Sequence, residues 1–137
     1  MLRTRLRNQD GMTLIELMVV VLIIAVLAAI ALPAFLGQRA KAQDGSAKSD
    51  ARTMVSAMEA CYTEENEYDP CPNTHSGVTQ GTQPGEVEVT PSGDTYVIVA
   101  HSHTGNSFTV TKHSDARVTR ECSDAGTTLG GCEGSSW

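Results

Sequence analysis

Positive charge is scarce in this chain. Ten of its 137 residues are Lys or Arg, against sixteen Asp or Glu, for a formal net charge of −6. Three of the ten, Arg3, Arg5 and Arg7, fall within the first eleven residues, where Asp10 is the lone acid. The remainder holds seven basic and fifteen acidic residues. Nonspecific DNA binding needs clustered Lys and Arg on phosphates, so nucleic acid is not an expected partner. The four cysteines include no C-x-x-C pair, a spacing typical of structural zinc sites. No Asn-x-Ser/Thr triplet occurs, which excludes N-glycosylation. His75 and His113 have no evident acid partner, and His101 and His103, placed at one strand end, read as solvated residues rather than a metal pair. Asp115, Glu121 and Asp124 follow no recognisable calcium-loop pattern. No nucleophile motif surrounds any Ser or Thr. Neither an enzyme nor a cofactor or metal site is expected.

The most informative lack is local. Leu17 to Leu32 contains no charged or strongly polar residue. As a helix, Met12 to Leu36 is long enough to cross a hydrocarbon layer of roughly 30 Å. Glu16 sits inside that run, where a carboxylate costs several kcal/mol and reads by default as a functional site with a partner. The three arginines before it would hold the N-terminus in the cytoplasm, placing the rest of the chain outside. A secretory signal peptide or signal anchor shares the basic start, and Ala29-Ile30-Ala31 or Leu32-Pro33-Ala34 could suit a signal peptidase. Its apolar core, however, usually spans only about 7–15 residues, and it gains nothing from Glu16.

The basic start, Gly11, and the segment Met12-Thr13-Leu14-Ile15-Glu16 resemble the type III signal of type IV pilins and pseudopilins. The resemblance implies cleavage after Gly11 by a prepilin peptidase and N-methylation of the new terminus on Met12. The methylated residue in that family is most often Phe, although Met occurs. Pro33 and Phe35 match a helix-kinking proline and an aromatic that family members commonly carry. The expected organisation is a cleaved leader, 1–11; a transmembrane and filament-core helix, 12–36; and an extracellular globular domain, 37–137. An assembly platform and a cytoplasmic ATPase would lift subunits from the cytoplasmic membrane into a homo-oligomeric helical filament on the cell surface.

In that filament Leu17, Val20, Ile24, Leu27 and Phe35 would exchange lipid for neighbouring helices. Glu16 would meet the Met12 amine of a neighbour and set register. Because lipid is already apolar, close packing at Ala25, Ala28 and Ala29 must supply specificity. Many relatives melt part of this helix on assembly; here no glycine lies between Met12 and Pro33. A structural subunit of a type IV pilus is the first reading. A pseudopilin of a type II secretion system and a DNA-uptake pilin are the alternatives. Aromatics at 4% of the chain argue against an electron-conducting fibre.

Beyond the apolar run the helix should continue to about residue 64, with Pro33 kinking it. Ala47, Ala51, Met54, Met58 and Cys61 recur at steps of three and four and mark one apolar face, bordered by Val55 and Tyr62. Lys41, Lys48, Arg52, Asp44, Asp50 and Glu59 are assigned mostly to the other faces. A loop follows over 65–85. Alternating strands come next over 86–122, with turns at Pro91–Asp94 and Thr104–Asn106. Val97-Ile98-Val99 marks a central strand, and 117–122 a weaker fourth one. The fold class is α+β: a long N-terminal helix on a three- or four-stranded antiparallel sheet. Four cysteines in an exported chain suggest two disulfides. Of the three connectivities that four cysteines allow, Cys61–Cys71 and Cys122–Cys132 are favoured, since each closes a short loop rich in turn residues. The last spans 122–137, where Trp137 reads either as a packing anchor or as an exposed contact.

Overall fold

The computed structural model describes residues 11–71, 76–124, 126, 131–132 and 134–137. Two compact units divide the chain, Met1–Phe35 and Leu36–Trp137. A single helix, α1 (Leu14–Glu65), contributes to both. It runs unbroken through Pro33 and Gly45. Proline removes one intrahelical N–H without ending the helix here. Its end has a local cause. Asn66 adopts a left-handed φ of 59° and its N–H donates to the Tyr62 carbonyl at 2.9 Å. Asn reaches this conformation more readily than other non-glycine residues, and the bond closes the last turn.

Four antiparallel strands build the sheet of the second unit: β1 (Val87–Ser92), β2 (Thr95–His101), β3 (Ser107–Lys112) and β4 (Val118–Ser123). They pair in sequence order β1-β2-β3-β4, so β2 is interior. Tyr96, Ile98 and Ala100 of β2 and Phe108 and Val110 of β3 point to one face and are fully buried. They meet Ala47, Ala51, Met54 and Met58 of α1 in one core with Val87, Tyr68 and Cys71. The three- and four-residue steps along the helix and the two-residue step along the strands thus bury matching stripes.

One turn is shorter than its sequence suggests. Pro91 and Ser92 belong to β1, opposite Tyr96 and Thr95, leaving only Gly93 and Asp94 as the turn. Pro91 is tolerated because β1 is an edge strand, and Gly93 supplies the positive φ of 55° that a two-residue hairpin turn demands.

Cys61 bonds Cys71, and Cys122 bonds Cys132, with Cα–Cα distances of 5.9 and 5.8 Å. The first ties the helix end to the segment after it; the second ties β4 to the C-terminal segment. Bridges closing loops of this size contribute about 2–4 kcal/mol each when unstrained.

Truncating Met54, which is fully buried, should therefore cost the second unit about 2–5 kcal/mol. Phe35→Ala should change that stability by less than about 0.5 kcal/mol. Thermal melting of the full chain in detergent, followed by near-ultraviolet circular dichroism, checks both.

Candidate assembly site

Residues Gly11 to Thr13 are exposed and non-helical, and α1 begins immediately after them. The Glu16 carboxylate accepts the Thr13 N–H at 3.0 Å and the Thr13 hydroxyl at 2.9 Å. The Glu16 N–H donates back to the Thr13 hydroxyl oxygen at 3.2 Å. This reciprocal pattern is a capping box, with Thr13 as N-cap and Glu16 three residues on. Sequence reasoning passed over it, although Thr13-Leu14-Ile15-Glu16 has the T-x-x-E signature in plain view. With residues 1–11 attached, Glu16 already has a local partner, and the Gly11–Met12 bond lies just outside the helix.

Past the cap, α1 presents its apolar side chains bare. Among the described residues every exposed large hydrophobic side chain lies between Met12 and Leu36, save Val118. Leu17 is 54% exposed, Ile24 59% and Phe35 63%. At 3.6 residues per turn, Leu17, Val20, Ile24, Leu27 and Phe35 fall within about 80° of arc. Pro33 lies on the opposite side. An apolar surface this large on a soluble monomer would be a liability, and it marks a membrane or protein contact.

The second unit contains two carboxylates that require a correction. Asp44 and Glu59 both engage partners within the unit, although the Glu59 side chain stays 40% exposed. Asp44 is fully buried. It lies three residues before Ala47, in register with the apolar stripe, and that spacing was the missed signal. Its oxygens accept from the Ser102 hydroxyl at 2.6 Å, the Asn106 amide at 2.8 Å, the Gly131 N–H at 2.6 Å and the Thr104 hydroxyl. Burial pushes its pKa up, but these donors outweigh burial and hold the carboxyl below its usual range. Lys48 donates to the Gly131 carbonyl at 2.6 Å, closing the same corner. Glu59 accepts from Lys112 at 2.9 Å, Tyr96 at 3.0 Å and Tyr68 at 3.0 Å. Burial opposes its ionisation too, and the Lys112, Tyr96 and Tyr68 donors again bring the pKa below the ordinary value.

His101 and His103 line one small pocket with Asp50, and His113 lies apart from it. His101 Nε2 stands 4.0 Å from the Glu88 carboxylate and has no hydrogen-bond partner among the described residues. His103 lies over Gly85, where an added Cβ would come within 2.7 Å of its ring. His113 bonds the Thr119 hydroxyl at 3.0 Å, and His75 is outside the described residues. Asp115 and Asp124 accept the local backbone N–H groups of Arg117 and Gly126. Among the described residues no three His, Cys, Asp or Glu side chains form a metal-binding group. Trp137 packs edge-on to Phe108 with centroids 5.7 Å apart, and its indole N–H donates to the Glu121 carbonyl at 2.9 Å.

A helix apolar in its first half and packed through its second half on a four-stranded antiparallel sheet, with two disulfides, is the pilin fold. The chain carries the prokaryotic N-terminal methylation motif over residues 6–32. Over about half of its length it is similar to type IV pilins and their secretion-system counterparts. It is 43% identical over 74 residues to a fimbrial protein of Neisseria meningitidis, covering 54% of this chain and 43% of that one. It is 42% identical over 62 residues to the type IV major pilin protein PilA of Myxococcus xanthus, covering 45% of this chain and 28% of that one. To the type II secretion system core protein G of Aeromonas hydrophila it is 35% identical over 72 residues, covering 53% and 48%. The chain thus spans less than half the length of these relatives. No solved structure matches it.

Both carboxylates favour ionisation when folded, so their stabilisation is complete above the unfolded carboxyl pKa near about 4. It is lost as pH falls through the lower folded values. The melting temperature should hold from neutral pH to about 5 and drop below about 4. Asp44→Asn should melt lower at neutral pH and show a shallower acid drop. Asp44→Ala, which strands several buried donors, should cost on the order of 3–5 kcal/mol at pH 7.

Proposed function

We propose that this chain is the structural subunit of a type IV pilus, made as a prepilin and assembled through its N-terminal helix. The observation that carries the reading is the bare apolar surface of α1 from Leu14 to Leu36, most of it within the methylation motif. The basic leader holds the N-terminus in the cytoplasm, Met12 to Leu36 spans the cytoplasmic membrane, and the α+β unit lies outside. Cleavage after Gly11 removes the leader and creates an α-amine on Met12, which is then methylated.

The new cation changes the electrostatics at the cap. Among the described residues of the uncleaved chain, the donors to the Glu16 carboxylate are the neutral groups of Thr13. Afterwards a cationic amine one turn away, its own or a neighbour's, can meet the carboxylate. A charge pair inside an apolar bundle contributes little net stability, but a misaligned subunit would leave one charge bare. Glu16 therefore sets register. Leu17, Val20, Ile24, Leu27 and Phe35 supply the packed surface. The filament serves adhesion, twitching or surface contact.

A pseudopilin of a type II secretion system is the second reading, supported by the likeness to core protein G. The genes on either side of the coding sequence, for secretion or for pilus machinery, separate the two.

Mass analysis of protein sheared from the cell surface tests the main reading. The expected species starts at N-methylated Met12 and is lighter by four hydrogens for two disulfides. A chain starting at Met1, or after Ala31 or Ala34, would sink it. Glu16→Leu should abolish surface filaments while the protein still accumulates in the membrane; filaments at the wild-type level would remove Glu16 from assembly.

A further inference from the structure

The few cations of this acidic chain are not spread evenly. Lys48, Arg52 and Arg120 all stand over the ring of Trp137, at 6.0, 5.3 and 5.9 Å from its centroid. They come from two turns of α1 and from β4, so the fold gathers them. Arg52 and Arg120 are exposed. Among the described residues none of the three forms an ion pair; the pairs present are His101–Glu88, Lys112–Glu59 and Arg117–Asp115. Cation–π contact with the ring offsets part of their mutual repulsion, but among the described residues no carboxylate pairs with the patch.

The complement is on the same chain. Glu64, Glu65, Glu67 and Asp69 are exposed around the end of α1. They crowd the negative pole of the helix dipole with no basic residue in the last turn. None forms an ion pair among the described residues. The Cys61–Cys71 bridge and the Asp69 bond to the Gly93 N–H fix this segment to the unit. Arg52 and Glu64 are about 18 Å apart along the helix at 1.5 Å per residue. That separation is too great for one chain to satisfy both.

We infer that the acidic segment 64–69 of one copy docks on the basic rim of Trp137 of a second copy. The two patches are different surfaces, so the contact is head-to-tail. Repeated, such a contact builds a ring or an open array instead of a two-fold dimer. The inference rests on the filament reading for its context, but the contact is scored independently of it.

The full-length chain in its membrane is the material for the test. Arg52→Lys keeps the cation and lets a zero-length carbodiimide join it to any carboxylate in contact. A covalent dimer is expected, whose digest links the peptide carrying position 52 to residues 64–69 of the other copy. Arg52→Glu with Arg120→Glu should cut the yield of surface filaments at least tenfold, and adding Glu64→Lys and Glu67→Lys should restore it. A coupled product without that peptide pair overturns the docking. So does a reversal that the second pair fails to rescue although the chain melts like wild type. The linked pair in membranes from cells that make no filaments leaves the docking standing and sinks the pilus reading. Filaments without the linked pair do the opposite. Retention on immobilised single-stranded DNA that Arg52→Glu and Arg120→Glu abolish, in the absence of the linked pair, assigns the patch to a polyanion and overturns the proposal.

Discussion

A carboxylate buried among neutral donors organises the second unit. Removing Asp44 from water carries a penalty that only a nearly complete set of hydrogen bonds can offset. Its donors come from two places: the turn between β2 and β3, which holds Ser102, Thr104 and the buried Asn106, and Gly131 beside the second disulfide. Each of these must be in place before the helix can seat its stripe. The approach of Gly131 is close; a Cβ there would lie 3.3 Å from Lys48 Nζ and 3.4 Å from Asp44 Cβ. Glycine is what lets that backbone reach the acid. Apolar burial alone would hold α1 on the sheet with some freedom to slide, whereas the directed bonds to Asp44 permit a single register.

One helix is written in two codes. From Leu17 to Leu32 apolar residues surround it on all sides, the pattern of a segment meant for lipid or for other helices. From Asp44 to Met58 the buried positions are confined to one stripe, the pattern of a helix on a sheet. Among the described residues none before Asp44 is buried.

Much of this was legible in the sequence, because periodicity is a local signal. The apolar run, the stripe from Ala47 to Met58 and the alternation in β2 and β3 each follow from residue spacing alone. The omissions have distinct physical reasons. Asp44 was in register with the stripe, but its charge marked it as solvent-facing until the hydroxyls of Ser102 and Thr104 were known to lie opposite. Glu59 depends on Tyr68, Tyr96 and Lys112, which are brought together only by the folded sheet. The capping role of Thr13 and Glu16 was overshadowed by the cleavage motif that uses the same residues. Pro91 looked like a turn residue because its tolerance in a strand requires knowing that β1 is an edge. Ala116, at a φ of 64° in the turn before β4, gave no signal; nothing in its side chain favours that conformation.

Trp137 is the sole tryptophan of the chain. Its indole is anchored to β4, set edge-on against the buried ring of Phe108 and ringed by cations. Fluorescence excited at the long-wavelength edge of the near-ultraviolet band, where tyrosine no longer absorbs, therefore arises from one corner of the α+β unit. The molecule contains its own site-specific optical probe, placed where the C-terminal strand, the core and the basic rim coincide.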